Sequence, residues 1–564
     1  MENCLIMEPG WYAGVYLKLW INSLPDSIIL VLAKVINFCR LICGKIIESS
    51  QRLCFQFILS RVIVAQYDLV IIGSGLGGLL SAVLLAKEGM KVAVIEQNKQ
   101  VGGCLQTFAF EKKVFDSCVH YIGALDEGQS QHKIFGYAGI TGELELKKLD
   151  EDGFDRIIFG DEPTVYPHAQ GLEHFAEVLT PYFEGSGKEL KDYVRTLHTV
   201  GERFPLYNLR NGQAAEKEEV SRWDMHKVMH RISDEKLRHV LMGNNLLYAG
   251  SRDKTPFYIH ALVGKSYIDS AYKISGGSSQ ISKLLWRRLQ EHGGTIFRKE
   301  KVTGLEEKNG LITKAITASG NVYEGKNFLV NVHPAMALEW IDCGLVKPMY
   351  RKRIATAENS ISAFMVNIVL KPGTVSWRNH NIYWNRSADT FDAVNYKADH
   401  WPANYALYFG EDAQNKGYAD TVAVLTYMRA SELEQWNHTH NIAAQPSARE
   451  ASYHAFKEEK AAVLIDKVAE RYPELKENIQ AYQIASPLTF RDYMGSPDGS
   501  IYGVMADVNN EAGTRIPIRT KIPNLMFTGQ NIGIHGVLGV SINAVAACGK
   551  LLGLDYLLEK INKA

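Results

Sequence analysis

The sequence has no surplus of either charge: across its 564 residues, lysine plus arginine and aspartate plus glutamate each number 62. Bulk nucleic-acid binding draws on excess cations to displace counterions from phosphates, so this balance argues against it and no nucleic acid is expected as a partner. Cysteine is scarce and scattered. Cys4, Cys39, Cys43 and Cys54 precede residue 66, while Cys104, Cys118, Cys343 and Cys548 stand far apart without a C-x-x-C pair. That spacing argues against a zinc site or disulfide framework, so no metal is expected, and the chain reads as intracellular. A basic secretory leader is missing too, since Glu2 and Glu8 occupy its place. The sequons at Asn385 and Asn437 are accordingly read as unused. Within residues 1–66 no uncharged run reaches the roughly 18 residues of a membrane span, since Lys34, Arg40 and Lys45 interrupt it. Internal repeats and low-complexity tracts are absent, and the apolar content is ample for a large core.

Residues 1–66 differ from the remainder in being rich in Ile, Leu, Val and Cys and poor in charge. At about 100° per residue, Ser27, Lys34, Asn37, Arg40, Gly44, Lys45 and Glu48 share one arc, and the opposite face is apolar. A basic amphipathic helix of that kind lies in a membrane interface, predicting peripheral or monotopic association on the cytoplasmic side. Two competing readings are a stripe docked on the protein's own core, leaving the chain cytoplasmic, and a segment outside the mature protein, which would start near Val64.

Tyr67 to Ile72 is a short apolar run that predicts a buried parallel strand. Gly73-Ser74-Gly75-Leu76-Gly77-Gly78 follows, then a helical pattern, then a second strand, Lys91 to Ile95, with Glu96 at its end. Gly73 permits the tight turn, Gly75 lets the backbone approach a pyrophosphate, and Gly78 lets helix and sheet pack closely. The pyrophosphate would lie on the helix N-terminus. Glu96, about 20 residues after the first glycine, suits ribose hydroxyls. A lone glycine turn is weak evidence; strand, turn, helix, strand and acid in this order are strong. Gly102-Gly103 places a further turn just beyond the acid, as in two-domain FAD enzymes. No second G-x-G-x-x-G exists for a dedicated NADPH domain, which leaves NAD(P)H only as a candidate electron donor without a domain of its own.

From about Tyr67 to Leu557 the chain resembles the FAD-dependent carotenoid and retinoid oxidoreductases, which include phytoene desaturases, carotenoid isomerases and all-trans-retinol 13,14-reductases. Besides the fingerprint, Phe115-Asp116-Ser117-Cys118-Val119-His120-Tyr121-Ile122-Gly123 resembles F-D-x-G-x-H-Y-x-G, and Gly276-Gly277-Ser278-Ser279 resembles the G-G-S-S stretch. Ser486-Pro487-Leu488-Thr489 with Tyr502-Gly503, and Ile522 to Gly539, resemble the late stretches, the last being the closing flavin motif. The His-Tyr and Gly-Gly-Ser-Ser pieces point to the retinol 13,14-reductase branch. Cys118, Ile274 and His535 depart from the usual Gly, Pro and small or Cys residue, which bears on the substrate more than on the fold.

The resemblance implies a discontinuous α/β, Rossmann-like FAD domain of two-dinucleotide-binding type (67–161, 273–334 and 500–557) with an inserted α+β substrate domain (171–272 and 335–499) roofing an apolar tunnel. It implies chemistry on C–C double bonds of a polyene isoprenoid: saturation, with desaturation or cis–trans isomerisation as rivals. His120 and Tyr121 are candidates for the acid or for orienting groups, against a reading as core residues. His535 is a candidate for the flavin's pyrimidine edge, where positive charge would help, against a solvent-facing turn. Gly529 and Gln530 are expected under the flavin, and Gly539 is expected to open the last helix toward it. Val302, in the strand-like run Thr295 to Leu305, could hold adenine through its backbone. Cys104 or Cys118 as flavin attachment or redox thiol competes with buried inert cysteine. A rival of another class is a non-redox prenyl carrier of the GDP-dissociation-inhibitor type, and amine oxidases are a third. The sequence leaves the oligomeric state open.

Overall fold

The computed structural model describes residues 66–442 and 446–564. The amphipathic pattern expected before Tyr67 thus falls, except for Gln66, outside the described residues. Among the described residues no helix is long and apolar enough to cross a membrane.

Tyr67–Ile72 is the hinge of the first sheet. It pairs in parallel with Val92–Glu96 on one side and Val322–Val330 on the other. Thr295–Arg298 extends the sheet beyond Val92–Glu96, and Leu525–Phe527 adds in parallel to Val322–Val330. Leu69 and Ile71 point into one core cluster with the helix Leu76–Lys87, while Val70 and Ile72 point into another with Val302, Phe328 and Phe527. Burial on both faces is why this strand reads as an unbroken apolar run rather than an alternating one. The chain leaves Ile72 toward one side and returns on the other, so a crevice opens at this strand's carboxyl end.

The run expected as one strand from Thr295 to Leu305 is two strands. Thr295–Arg298 stays parallel to Val92–Glu96, and the chain then breaks at Lys299, whose φ is +62°. Val302–Lys308 begins an antiparallel meander with Leu311–Thr317 and Val322–Val330. One pattern spans both because both sit on the same apolar layer.

A second seven-stranded sheet runs in the order Ile479–Ala485, Ser362–Leu370, Ala419–Met428, Asn404–Glu411, Asn381–Asn385, Asp155–Phe159 and Tyr166–His168. Ser362–Leu370 is buried at every position, in keeping with a sequence that is apolar except at Ser362 and Asn367. Asp155–Phe159, which the sequence grouped with the cofactor segment, pairs instead with Asn381–Asn385 and Tyr166–His168. An edge of the second sheet satisfies its backbone, and no local signal distinguishes one sheet from the other. The helices Gly187–Arg203 and Phe257–Asp269 pack on each other, and Leu172–Leu179 packs on Tyr166–His168 at the sheet's edge, giving the inserted region its α+β character.

Candidate functional site

The glycine turn is held by close contacts that only glycine allows. Gly73 has φ +95°, and a Cβ there would come within 2.9 Å of the Asn331 carbonyl oxygen. A Cβ on Gly78 would stand 2.1 Å from Gly73 O, so helix and strand could not approach as they do. Gly75 is the N-cap of Leu76–Lys87 and brings no side chain to fill the helix start. Gly102, at φ +116°, donates its N–H to Ser74 O at 3.0 Å, stacking the second glycine turn on the first. A narrow, backbone-walled cleft results, of the shape a diphosphate enters.

Glu96 closes the far end. Its Oε2 accepts from Ser74 Oγ at 2.6 Å and Ser74 N at 3.0 Å, and its Oε1 accepts from Asn98 N at 2.7 Å. Burial pushes its carboxyl up, and these hydrogen bonds oppose the shift. Each oxygen keeps acceptor capacity for a ribose hydroxyl. The donor set and the cleft fit a dinucleotide such as FAD.

The sequence did not single out Asn331. With its amide turned to satisfy both neighbours, its Oδ1 accepts from Gly75 N at 3.2 Å and Gly78 N at 3.1 Å. The one available signal was its place directly after the parallel strand Val322–Val330.

From this cleft a cavity of about 430 Å³ runs between the two sheets. It is lined by Gly73, Gly75, Glu96, Gly102, Gly103, His120, Tyr121, Val302, Gly529, Gln530, His535 and Gly539. Gly78 stands behind the wall rather than in it. Away from the glycine turns the lining is aliphatic and aromatic, including Leu247, Leu262, Tyr267, Leu425, Tyr502 and Leu538. A second cavity of about 610 Å³ shares Tyr207, Tyr502, Gln530, Ile534 and His535 with the first. Gly529, at φ +95°, lies against Asn331, and Asn543 Nδ2 donates to its carbonyl at 3.0 Å. Gly539 lies one turn inside Gly536–Leu552 rather than opening that helix, and a Cβ there would meet Ile534 O at 2.6 Å.

Two separated motifs meet at the wall. Asp116 Oδ1 accepts from both Ser278 N and Ser278 Oγ at 2.7 Å, joining the stretch that carries His120 to the Gly-Gly-Ser-Ser turn. The His120 ring stacks on Tyr408 with centroids 4.1 Å apart, and its Nε2 is buried without a hydrogen-bond partner. Burial, then the nearby Lys273 charge, lowers its pKa to about 3. It is therefore a neutral ring near neutral pH, and desolvation removes histidine's usual suitability as an acid.

Tyr121 is buried, as its core reading requires, yet it is also part of a polar network. Its hydroxyl donates to Asp155 Oδ2 at 3.0 Å and lies 2.7 Å from the Tyr383 hydroxyl, which in turn is 3.1 Å from that of Tyr408. Asn381 and Asn244 also donate to Asp155. Burial raises the Asp155 pKa to about 7 against these hydrogen bonds. Asp155 was missed because its partners, Tyr121, Asn244 and Asn381, arrive from three separate parts of the chain.

His535 is 8% exposed, which rules out the solvent-facing turn. Its ring lies 4.4 Å from Tyr502, and its Nε2 is 3.3 Å from Leu247 O. Burial lowers its pKa to about 4, so a positive charge beside the cofactor cannot come from this ring near neutral pH.

Fold and site together define the class, an α/β protein built on a Rossmann-like dinucleotide-binding domain. The family described as an NAD(P)-binding Rossmann-like domain matches residues 71–137. An all-trans-retinol 13,14-reductase of Danio rerio is 26% identical over 90% of this chain and 89% of its own length. A 4,4'-diapolycopene oxygenase of Methylomonas sp is 22% identical over 83% of this chain and 94% of its own length. Among solved structures, a putrescine oxidase redesigned in its cofactor binding superposes with a TM-score of 0.58 at 14% identity, covering 88% of this chain and 99% of that one. Homologues of this chain thus include all-trans-retinol 13,14-reductases and carotenoid desaturases and oxygenases.

Proposed function

We propose that this chain is a FAD-dependent oxidoreductase acting on C–C double bonds of a polyene isoprenoid lipid, most like an all-trans-retinol 13,14-reductase. One observation carries the reading: a glycine-walled cleft closed by Glu96 opens, without a break, into a cavity lined by aliphatic and aromatic side chains. FAD bound there supplies hydride transfer to or from an alkene carbon. The chain supplies the rest. Gly73, Gly75, Gly102, Gly103 and Glu96 anchor the dinucleotide, with Val302 beside its adenosine end. Gly529, Gln530, His535 and Gly539 flank its redox end. Tyr267, Leu425 and Tyr502 exclude water and hold an extended apolar substrate against it. Asp155 holds a proton near neutral pH, and the Tyr121 hydroxyl hands it toward the cavity. Neutral His120 orients the substrate through its unpartnered ring nitrogen.

Residues 67–161 without the strand Asp155–Phe159, 273–334 and 500–557 are assigned to the FAD-binding part, and that strand with 171–272 and 335–499 to the substrate part. Residues 1–66 are assigned to a membrane surface, where such a lipid resides. NAD(P)H is the candidate external donor.

The test is the absorption spectrum of the purified protein, followed by an anaerobic assay with reduced FAD and all-trans-retinol. A yellow protein that releases FAD on denaturation and adds two hydrogens to the polyene is expected. Unchanged substrate mass with altered geometry would establish isomerisation instead, and a colourless protein would favour the prenyl carrier.

A further inference from the structure

Two cysteines from different motifs meet on the cavity wall. Cys104 follows the Gly102-Gly103 turn, and Cys118 lies beyond the strand Lys113–Asp116. Both line the cavity with Met494, the last residue of Pro487–Met494. Cys104 Sγ is 3.2 Å from Met494 Sδ, and Cys118 Sγ is 3.8 Å from the same sulfur. Sharing that one sulfur, the two thiols stand near enough to perturb each other's ionisation. Both are free and half-buried, whereas the remaining described cysteines, Cys343 and Cys548, are fully buried. A packed inert cysteine needs neither a second thiol nor an opening to a cavity.

We propose that Cys104 and Cys118 form a redox-active dithiol through which electrons enter the cofactor site. In its oxidation an S–S bond forms between Cys104 and Cys118, both S–H bonds break, and two protons leave. The electron pair passes to the isoalloxazine bound in the same cavity. An external dithiol then restores the pair by exchange and is itself oxidised to a disulfide. Over a cycle, one external dithiol is oxidised and one C–C double bond takes up two hydrogens, so atoms and electrons balance. The delivery step rests on the FAD reading above, while the cysteine pair stands on its own geometry. The thiols are already unequal: the neighbouring Cys118 thiol lowers the Cys104 pKa, while Cys104 and burial push Cys118 well up. Cys104 is thus the nucleophile of the pair. The arrangement also answers a need of the fold, since the sequence carries one dinucleotide fingerprint and no second one for a nicotinamide donor.

The experiment uses the full-length, flavin-loaded protein under anaerobic conditions. One arm treats it with oxidised dithiothreitol, alkylates it and maps its peptides without reductant. The expected product is a linked Cys104–Cys118 peptide that reduced dithiothreitol abolishes. Peptide mapping is needed because the chain holds six other cysteines. The other arm follows bleaching of the flavin band by reduced dithiothreitol, expected to be about tenfold slower in Cys118→Ser and Cys104→Ser than in wild type. Flavin content and melting temperature of the variants, with Cys118→Gly as a second substitution, show that they fold. A yellow protein that yields no linked peptide, or bleaches equally fast in all variants, overturns the dithiol and leaves the FAD reading standing. A colourless protein that yields the linked peptide overturns the FAD reading and the delivery step, and upholds the cysteine pair.

Discussion

The Tyr121 hydroxyl donates to Asp155 Oδ2 at 3.0 Å, at a carboxyl sealed from solvent with a pKa raised to about 7. Tyr121 reaches the cavity and Asp155 does not, so the pair spans the wall. Burial is what raises the carboxyl, and the surrounding groups, Asn381, Asn244, Tyr121 and Lys273, only moderate it.

The first prediction concerns stability. Below the ordinary value of 3.8 Asp155 is protonated in both states; above it the unfolded chain ionises while the folded one stays neutral up to about 7. The unfolded state therefore binds fewer protons in that window, and this group makes the fold lose stability as pH rises from about 4 to about 7. Asp155→Asn should remove that part of the loss. Urea unfolding at several pH values checks it; identical slopes for wild type and variant would refute the raised carboxyl.

The second concerns the acid. Because His120 titrates at about 3, it contributes no inflection to the rate profile between about pH 5 and pH 8. His120→Gln should keep the shape of that profile, whereas Asp155→Asn should flatten it and slow alkene reduction by about 100-fold. Steady-state rates across this range decide; a profile reshaped by His120→Gln alone would return the proton to the imidazole.

The third concerns the cofactor. Glu96→Gln retains the shape but loses the charged acceptor, and FAD binding should weaken by about ten- to a hundredfold. Gly78→Ala places a Cβ 2.1 Å from Gly73 O, forcing backbone apart. It should lose FAD and about 1–3 kcal/mol of stability. Flavin fluorescence titration and thermal melts measure both, and a Gly78→Ala protein with normal flavin content would contradict the packing.

The fourth concerns the passage. Leu425 lines the cavity from Ala419–Met428, away from the glycine turns. Leu425→Trp should fill the slot and raise KM for the polyene about tenfold with flavin content unchanged. Equal KM values would place the substrate elsewhere.

The cofactor end was largely legible before the structure. Gly73, Gly75, Gly78 and Glu96 act through backbone conformation and a fixed strand–turn–helix–strand order, and both are local properties of contiguous residues. Asn331 escaped notice because an asparagine after a strand carries no special pattern until the strand lies beside Ile72. His120 was visible as a residue but not in its charge, since its pKa depends on burial that neighbouring sequence does not report.

By itself, then, the sequence determined the dinucleotide turn, its acid and the apolar strands, because each depends on periodicity and on the steric freedom of glycine within a few residues. Tertiary structure decided the chemistry on the far side of the cavity. It brought Tyr121 to Asp155, stacked His120 on Tyr408 and set Cys104 and Cys118 against the one Met494 sulfur. Pairing at such separations is governed by which sheet edges and helix faces bury together, and desolvation, the force that sets these pKa values, exists only once they have.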